Sequence, residues 1–297
     1  MNLFKDPRDY QILFLAGFLL LGLGTRDWRL NPYLLAVVLS SCLATQLLLK
    51  VLTSRRQSDL DGAIQHECFG PHIRAALPSL KSALISALGL CLLLRANRPE
   101  TMVLAGVLAI ASKFIARWRG KHFFNPANFG IIAALLFTPD AWVSPGQWGA
   151  DGWYLLVFLG AGGLVLKRVG RWDTSAIFLG VYAGLQGFRT IWLGQSWEIW
   201  QHQLMSGSLL LFALFMLTDP RSIPDSVKGR IVWATSIAVL TFILQTCFYL
   251  PTAVFWALFI ISPVTLLLDQ YWRGLRFRWP TATQVSSVST TPQPTPL

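Results

Sequence analysis

The chain has 297 residues, 54% of them apolar and only 13% charged, with a mean hydropathy of +0.50. This composition excludes a soluble core with a single anchor and reads as one all-α integral membrane domain, its thirteen Trp and nineteen Phe suiting aromatic belts at two bilayer interfaces. A net charge of +11 would also suit nucleic acid, but the placement of the cations, given below, assigns it to a surface facing anionic lipid.

Met1–Tyr10 is polar and charged. Gln11–Gly24 imitates a signal peptide, but Asp6 and Asp9 precede it, no small-residue cleavage site follows it, and many further spans come after, so it reads as the first helix. The second helix is expected over Pro32–Leu52, followed by a polar loop, Thr53–Leu77. His66, Cys68 and His72 lie in that loop at a spacing that fits no standard metal pattern. The third and fourth helices are expected over Pro78–Leu94 and Thr101–Ala116.

Lys121–Leu136 (KHFFNPANFGIIAALL) is the most informative stretch. Asn125 offers an oxygen to free backbone N–H groups and Pro126 fits the first helical position, so a fifth helix starts here and stops at Thr138 before Pro139. It is short for a hydrocarbon core, which needs about 17–25 residues. Two readings stay open: a plain span with an amphipathic Phe-Phe lead-in, or a broken helix whose positive end lies inside the protein. His122 beside Lys121 reads as a headgroup-level residue.

The sixth helix, Gly152–Leu166, carries Gly160, Ala161, Gly162 and Gly163, which permit close backbone approach. Four more follow: Thr174–Leu193, with Asp173 as its expected cap, His202–Leu217, Ile231–Tyr249 and Thr252–Leu268. The Pro/Ser/Thr-rich residues 280–297 read as a disordered cytoplasmic tail. The four Cys show no CxxC pairing, and no disulfide framework is expected.

Ten spans place only Arg26, Arg29, Arg95, Arg98 and Arg189 on one side and the other 20 of the 25 Lys and Arg on the side of the N-terminus. This asymmetry predicts ten transmembrane helices with both termini cytoplasmic. It also makes the bilayer the expected partner and excludes nucleic acid. Five helices per half imply two inverted repeats, about 10–139 and 152–269, within a single domain, 1–279. Pro126 and Pro251 take matching places, as do the polar breaks Arg95–Glu100 and Thr218–Arg221. Pro-marked breaks at corresponding positions point to a transporter-type site, so Asn125, Pro126 and Asn128 in one half and Asp219 and Pro220 in the other are the candidate ion, solute or structural residues. Asp219 either caps and pairs with Arg221 or is an interfacial loop acid. No GxGxxG, phosphate loop, HExxH or nucleophile triad occurs, and no catalytic or metal-ligating set is expected.

Gly120–Gly130 (GKHFFNPANFG), Arg171–Leu179 (RWDTSAIFL) and Phe212–Pro220 (FALFMLTDP), with Gly229-Arg230 after it, resemble the RnfD/NqrB family. These are membrane subunits of the Rnf electron-transport complex and of the sodium-translocating NADH:quinone reductase. The resemblance covers most of the chain from the third helix to the tenth. It implies a urea-transporter-like fold of ten helices in two repeats, and work beside other subunits in a complex that couples electron transfer to Na⁺ or H⁺ movement. It also implies FMN esterified to a Thr in the external loop between the fifth and sixth helices. Here that loop is only Pro139–Asp151 and no Thr occurs between Thr138 and Thr174; Ser206-Gly207-Ser208 is the nearest imitation and lies elsewhere. Covalent flavin is therefore not expected, and noncovalent FMN or riboflavin stays open by the resemblance alone. The alternative function is a stand-alone channel or carrier for a small polar solute without redox chemistry.

Overall fold

The computed structural model describes residues 6–25, 31–60, 77–143, 152–277 and 279. His66, Cys68, His72 and the tail expected over 280–297 lie outside them. The helices are α1 (Pro7–Thr25), α2 (Pro32–Leu60), α3 (Leu80–Leu93), α4 (Pro99–Ile115), α5 (Pro126–Phe137), α6 (Gly152–Val169), α7 (Trp172–Trp192), α8 (Trp197–Leu204), α9 (Gly207–Leu211), α10 (Val227–Thr246), α11 (Ala253–Ile261) and α12 (Val264–Tyr271). A 3₁₀ turn, Leu77–Ser79, leads into α3, and a π-helical turn, Phe212–Met216, extends α9. Among the described residues α2, over Pro32–Ser54, and α10 are each long and apolar enough to cross a membrane. The pairs α8 with α9 and its π turn, bent by 46°, and α11 with α12, bent by 47°, pass only when each is taken as one broken span.

Both bends correct expectations of continuous helices. The first lies at Met205-Ser206, just before Gly207. The second lies at Ser262-Pro263, where the ring of Pro263 removes an amide donor and crowds the preceding turn. Close helix approach is made by missing side chains. A Cβ on Gly130 of α5 would lie 2.6 Å from the Ala105 carbonyl oxygen of α4, and one on Gly162 of α6 would lie 2.7 Å from Leu214 in the π turn. The small residues of α6 thus serve at Gly162, whereas Gly160 and Gly163 face open space.

A similar order of helix contacts appears in the two parts of the chain. α1 packs on α3, α2 on α4 and α4 on α5; in the second half α6 packs on α9 with its π turn, α7 on α10 and α10 on α11. The halves meet where α1 touches α6 and α5 touches α11. Phe18 of α1 bridges them, 4.5 Å from Phe158 and 5.5 Å from Phe215 between ring centroids.

Two short antiparallel ladders close the loops. β1 (Leu94–Arg95) pairs with β4 (Trp142–Val143), and β2 (Arg117–Trp118) pairs with β3 (Lys121–His122). The second is a hairpin whose two-residue turn, Arg119-Gly120, has φ of 48° and 78°, as a primed turn requires. Beside the first ladder Asp140 organises the start of α4. Its Oδ2 accepts from the amides of Asn97 (3.0 Å) and Arg98 (2.8 Å), and its Oδ1 from the Thr101 hydroxyl (2.6 Å).

The Thr101 hydroxyl above all, helped by the amides of Arg98 and Asn97, holds the Asp140 carboxyl below its ordinary 3.8 against the opposing effect of burial. A depressed carboxylate stabilises the fold above its unfolded pKa, and that contribution is lost as pH falls through the folded value. Asp140→Asn is therefore expected to unfold more easily at neutral pH, and its stability curve should converge on the wild-type curve as pH falls through the folded pKa of Asp140, in thermal scans taken across the acid range.

Candidate functional site

Asn125 caps α5 as its sequence predicts: φ −67°, ψ 125°, with its Oδ1 accepting from the Asn128 amide at 3.0 Å and Pro126 in the first turn. The same side chain reaches across to the other half, its Nδ2 donating to the Met216 carbonyl at 2.9 Å. That carbonyl is available because Met216 ends the π turn Phe212–Met216, closed by Leu217 N donating to Phe212 O at 2.8 Å, and the residue four positions on, Pro220, has no N–H to offer. A π turn removes carbonyls from the ordinary ladder, and other groups must satisfy them. Ser175 of α7 takes the Ala213 carbonyl (2.6 Å) and Thr218 takes that of Leu214 (2.8 Å).

One turn along α5, the Nδ2 of Asn128 donates to the Phe255 carbonyl of α11 at 3.1 Å, while its Oδ1 is buried without a partner among the described residues. The expected match between Pro126 and Pro251 is thus only positional. Helix α11 begins two residues after Pro251, and its N-cap, Thr252, makes no side-chain cap.

Asp219 lies just past the π turn. Its Oδ1 accepts from the Arg221 amide at 3.2 Å, so Arg221 engages it through the backbone. Its Oδ2 faces the His122 Nε2 at 3.6 Å. His122 is 4% exposed: the β2–β3 hairpin folds it inward, and its Nδ1 lacks a partner among the described residues. Burial pushes the imidazole below 6.5, against the pull of Asp219. Burial also raises the Asp219 carboxyl, but His122, the Arg221 amide and the nearby Lys113 ammonium outweigh it and hold the carboxyl below 3.8. At neutral pH a carboxylate therefore faces a neutral imidazole. Lys113, 6% exposed, donates to the Ser82 carbonyl (3.0 Å) and hydroxyl (3.2 Å).

His122, Asn125, Pro126, Asp219 and Pro220 line one narrow cleft of about 60 Å³, with apolar walls that include Leu93 and Phe215. A second hollow, about 260 Å³, lies at the start of α11, lined by Ser208, Gln245, Pro251 and Phe255. Tyr182 on its wall donates to Gln245 Oε1 at 2.6 Å and accepts from Gln186 Nε2 at 3.0 Å. Asn125 lines the first hollow and Phe255 the second, so the Asn128–Phe255 bond lies between them. Four of the five candidate residues therefore share one cleft, and Asn128 stands behind it. Chemically the cleft offers one carboxylate, one neutral imidazole and an amide: it can hold a small cation or exchange a proton. Among the described residues no group of three His, Cys, Asp or Glu gathers around a metal position.

Sequence reasoning missed the ionic cluster beside this cleft. Lys121 Nζ sits between Asp225 Oδ1 (2.9 Å) and Asp269 Oδ2 (2.6 Å), with 8% of its side chain exposed. Asp269 Oδ1 also accepts from the Asp225 amide at 2.8 Å. Arg230 binds the Asp225 carbonyl (2.9 Å) and Asp173 Oδ2 (2.7 Å). Asp173 is therefore an ion-pair partner and not the cap of α7, which starts at Trp172, one residue before Asp173 and two before the expected Thr174. The cluster ties β3 of the first half to α7, α10 and α12 of the second.

The family model described as NQR2, RnfD, RnfE matches residues 145–278. Over these residues the chain is similar to that family. The match takes in the π turn, Asp219, Asp225, Arg230 and Asp269, and ends one residue before Trp279. The chain is 33% identical over 125 residues to the D-type subunit of the ion-translocating oxidoreductase complex of Halorhodospira halophila, covering 42% of this chain and 35% of that one. It is 27% identical over 257 residues to the protein of the same name from Pseudomonas paraeruginosa, covering 65% and 73%. It is 25% identical over 249 residues to the D-type subunit of the proton-translocating ferredoxin:NAD(+) oxidoreductase complex of Clostridium ljungdahlii, covering 66% and 74%. The matches to the first of these relatives and to its counterpart in Vibrio vulnificus span about a third of their length.

Proposed function

We propose that the chain is a multi-pass subunit of an ion-translocating electron-transport complex, with the cleft between Asn125 and Asp219 as its ion-handling station. The observation that carries this reading is the convergence of the two halves: the Asn125 amide holds the π-turn carbonyl at Met216, and His122 faces Asp219. Similarity to the family over residues 145–278 supports the class of complex. The similar order of helix contacts in the two parts of the chain supports ten transmembrane helices as two inverted, urea-transporter-like repeats. In this arrangement both termini face the cytoplasm across the inner membrane, as the distribution of Lys and Arg favours. Asn128, between the two hollows with an unpartnered Oδ1, marks the path between them.

The residues do not fit a covalently held flavin, because no Thr occurs between Thr138 and Thr174 to carry it, and no step is assigned to such a group. The chain's own groups suffice for ion handling: Asp219 supplies charge, His122 a proton acceptor beside it, and Asn125 fixes the backbone around them.

The test is ion uptake driven by electron transfer in proteoliposomes, with the chain produced beside its native genomic neighbours. Asp219→Asn, at unchanged protein level, is expected to slow uptake by about tenfold or more, equivalent to about 1.4 kcal/mol in a barrier. Unchanged uptake in this variant, or a chain that purifies alone and passes small neutral solutes, would overturn the reading in favour of a simple channel.

A further inference from the structure

The apolar cleft opens, past Pro220, into a charged hollow of about 280 Å³ bordered by Lys121, Arg221, Arg276 and Phe277. The two spaces share Pro220, Arg221 and Trp279. We propose that this pair of hollows is a binding site for one anionic phospholipid, its phosphate between Arg221 and Arg276 and the upper part of an acyl chain on the apolar walls of the cleft. The proposal does not depend on the electron-transport reading.

The charge balance carries the first half of this assignment. Lys121 is neutralised by Asp225 and Asp269, and Arg8, on the rim of the cleft, by Asp6 at 2.6 Å. Arg117, Arg119, Arg221 and Arg276 meet no carboxylate within ion-pair distance among the described residues. Two of them donate to backbone carbonyls: Arg276 Nη1 to Arg119 O at 2.9 Å, and Arg117 Nε to Lys113 O, with the Arg117 guanidinium also over the Phe114 ring at 4.9 Å. The acids nearby are engaged, Asp225 by Lys121 and Asp219 by the Arg221 amide opposite His122. A cluster of guanidiniums with surplus charge, next to an apolar cleft, matches a phosphodiester on an apolar tail.

The aromatic residues carry the second half. Trp279 stands where the two hollows join, under the Arg8 guanidinium at 5.2 Å from its ring centre and edge-on to Phe277 at 4.9 Å. Beside the hairpin, Ile115 is 81% exposed and Trp118 50%. Exposed apolar and indole side chains next to unpaired arginines are the pattern of a headgroup level. A soluble phosphate would use the arginines and leave the apolar cleft empty.

Thermal unfolding of the full chain in detergent tests the proposal, with phosphatidylglycerol, phosphatidylcholine or inorganic phosphate added. Phosphatidylglycerol is expected to raise the midpoint in a saturable manner, and the other two to leave it unchanged. Arg221→Gln/Arg276→Gln is expected to weaken the apparent affinity for phosphatidylglycerol about tenfold. Arg276→Gln alone, an exposed position that leaves the fold intact, should weaken it about threefold. Ile85→Phe, which fills the cleft wall without touching a charge, should also weaken it. Equal stabilisation by phosphatidylcholine, full reproduction of the shift by inorganic phosphate, or unchanged affinity in Arg276→Gln and Ile85→Phe would each overturn the proposal.

Discussion

Replacing Lys121 by Met is expected to destabilise the protein by about 3–5 kcal/mol, the range for breaking a buried ion pair by removing one partner. The ammonium lies 2.9 Å from one carboxylate and 2.6 Å from another, and the three side chains are only 8%, 13% and 19% exposed. A solvent-exposed pair would contribute about 0–1 kcal/mol. Here the loss would leave Asp225 and Asp269 facing each other in a partly buried space, with the Asp225 amide still holding Asp269 in place. Adding Asp269→Asn to Lys121→Met removes one of the two stranded charges and should recover part of the loss. The double-mutant cycle then measures the coupling directly. Unfolding followed in detergent by tryptophan fluorescence is the readout. A loss below about 0.5 kcal/mol for Lys121→Met would mean that the cluster behaves as an ordinary surface pair.

The residues that make this cluster are 104 and 148 positions from Lys121. In the sequence each is a lone charge at the edge of an apolar run. Counting such charges assigns a side of the membrane, because that depends only on their sign and on the number of spans between them. It does not pair them, because pairing depends on which helix ends meet. Features made within one turn were legible: the Asn125 cap, the Pro126 start and the stop at Thr138 all rest on chemistry between residues a few positions apart. Pro263 was visible as a breaker, yet the apolar run around it read as one span, since hydropathy is blind to a bend. The π turn carries no local mark at all. Phe212–Met216 is wholly apolar and would suit a regular helix; its extra carbonyls are taken by Ser175, 38 residues away, and by Asn125, 91 away. Asp173 shows the reverse error. A cap was expected from its place before an apolar run, but the helix starts one residue earlier, and its carboxylate turns to Arg230 in a helix far along the chain.

Asn125→Ala is expected to cost about 2–3 kcal/mol, of which about 1 is the lost helix cap and the remainder the loss of the shorter of the two hydrogen bonds to the buried Met216 carbonyl, which keeps only the Asp219 amide at 3.4 Å. Two further variants separate these parts. Ser at position 125 keeps a cap oxygen but is too short to reach across to the π turn, so it should recover only the smaller share. Asp keeps the cap and adds a charge favoured at a helix start, yet it has no donor for the Met216 carbonyl and brings a second carboxylate into the cleft of Asp219. If Ser or Asp restores full stability, Asn125 acts as a cap alone and the bond between the halves is incidental. If both stay well below wild type, the amide is what keeps Phe212–Met216 in its π form. Amide exchange should then quicken across Leu209–Leu217 in all three variants, while the α10 amides, capped separately by Ser226, keep their protection. That localised response distinguishes a lost bond between the halves from general loosening, because a weaker cap on α5 alone gives the π turn no reason to open.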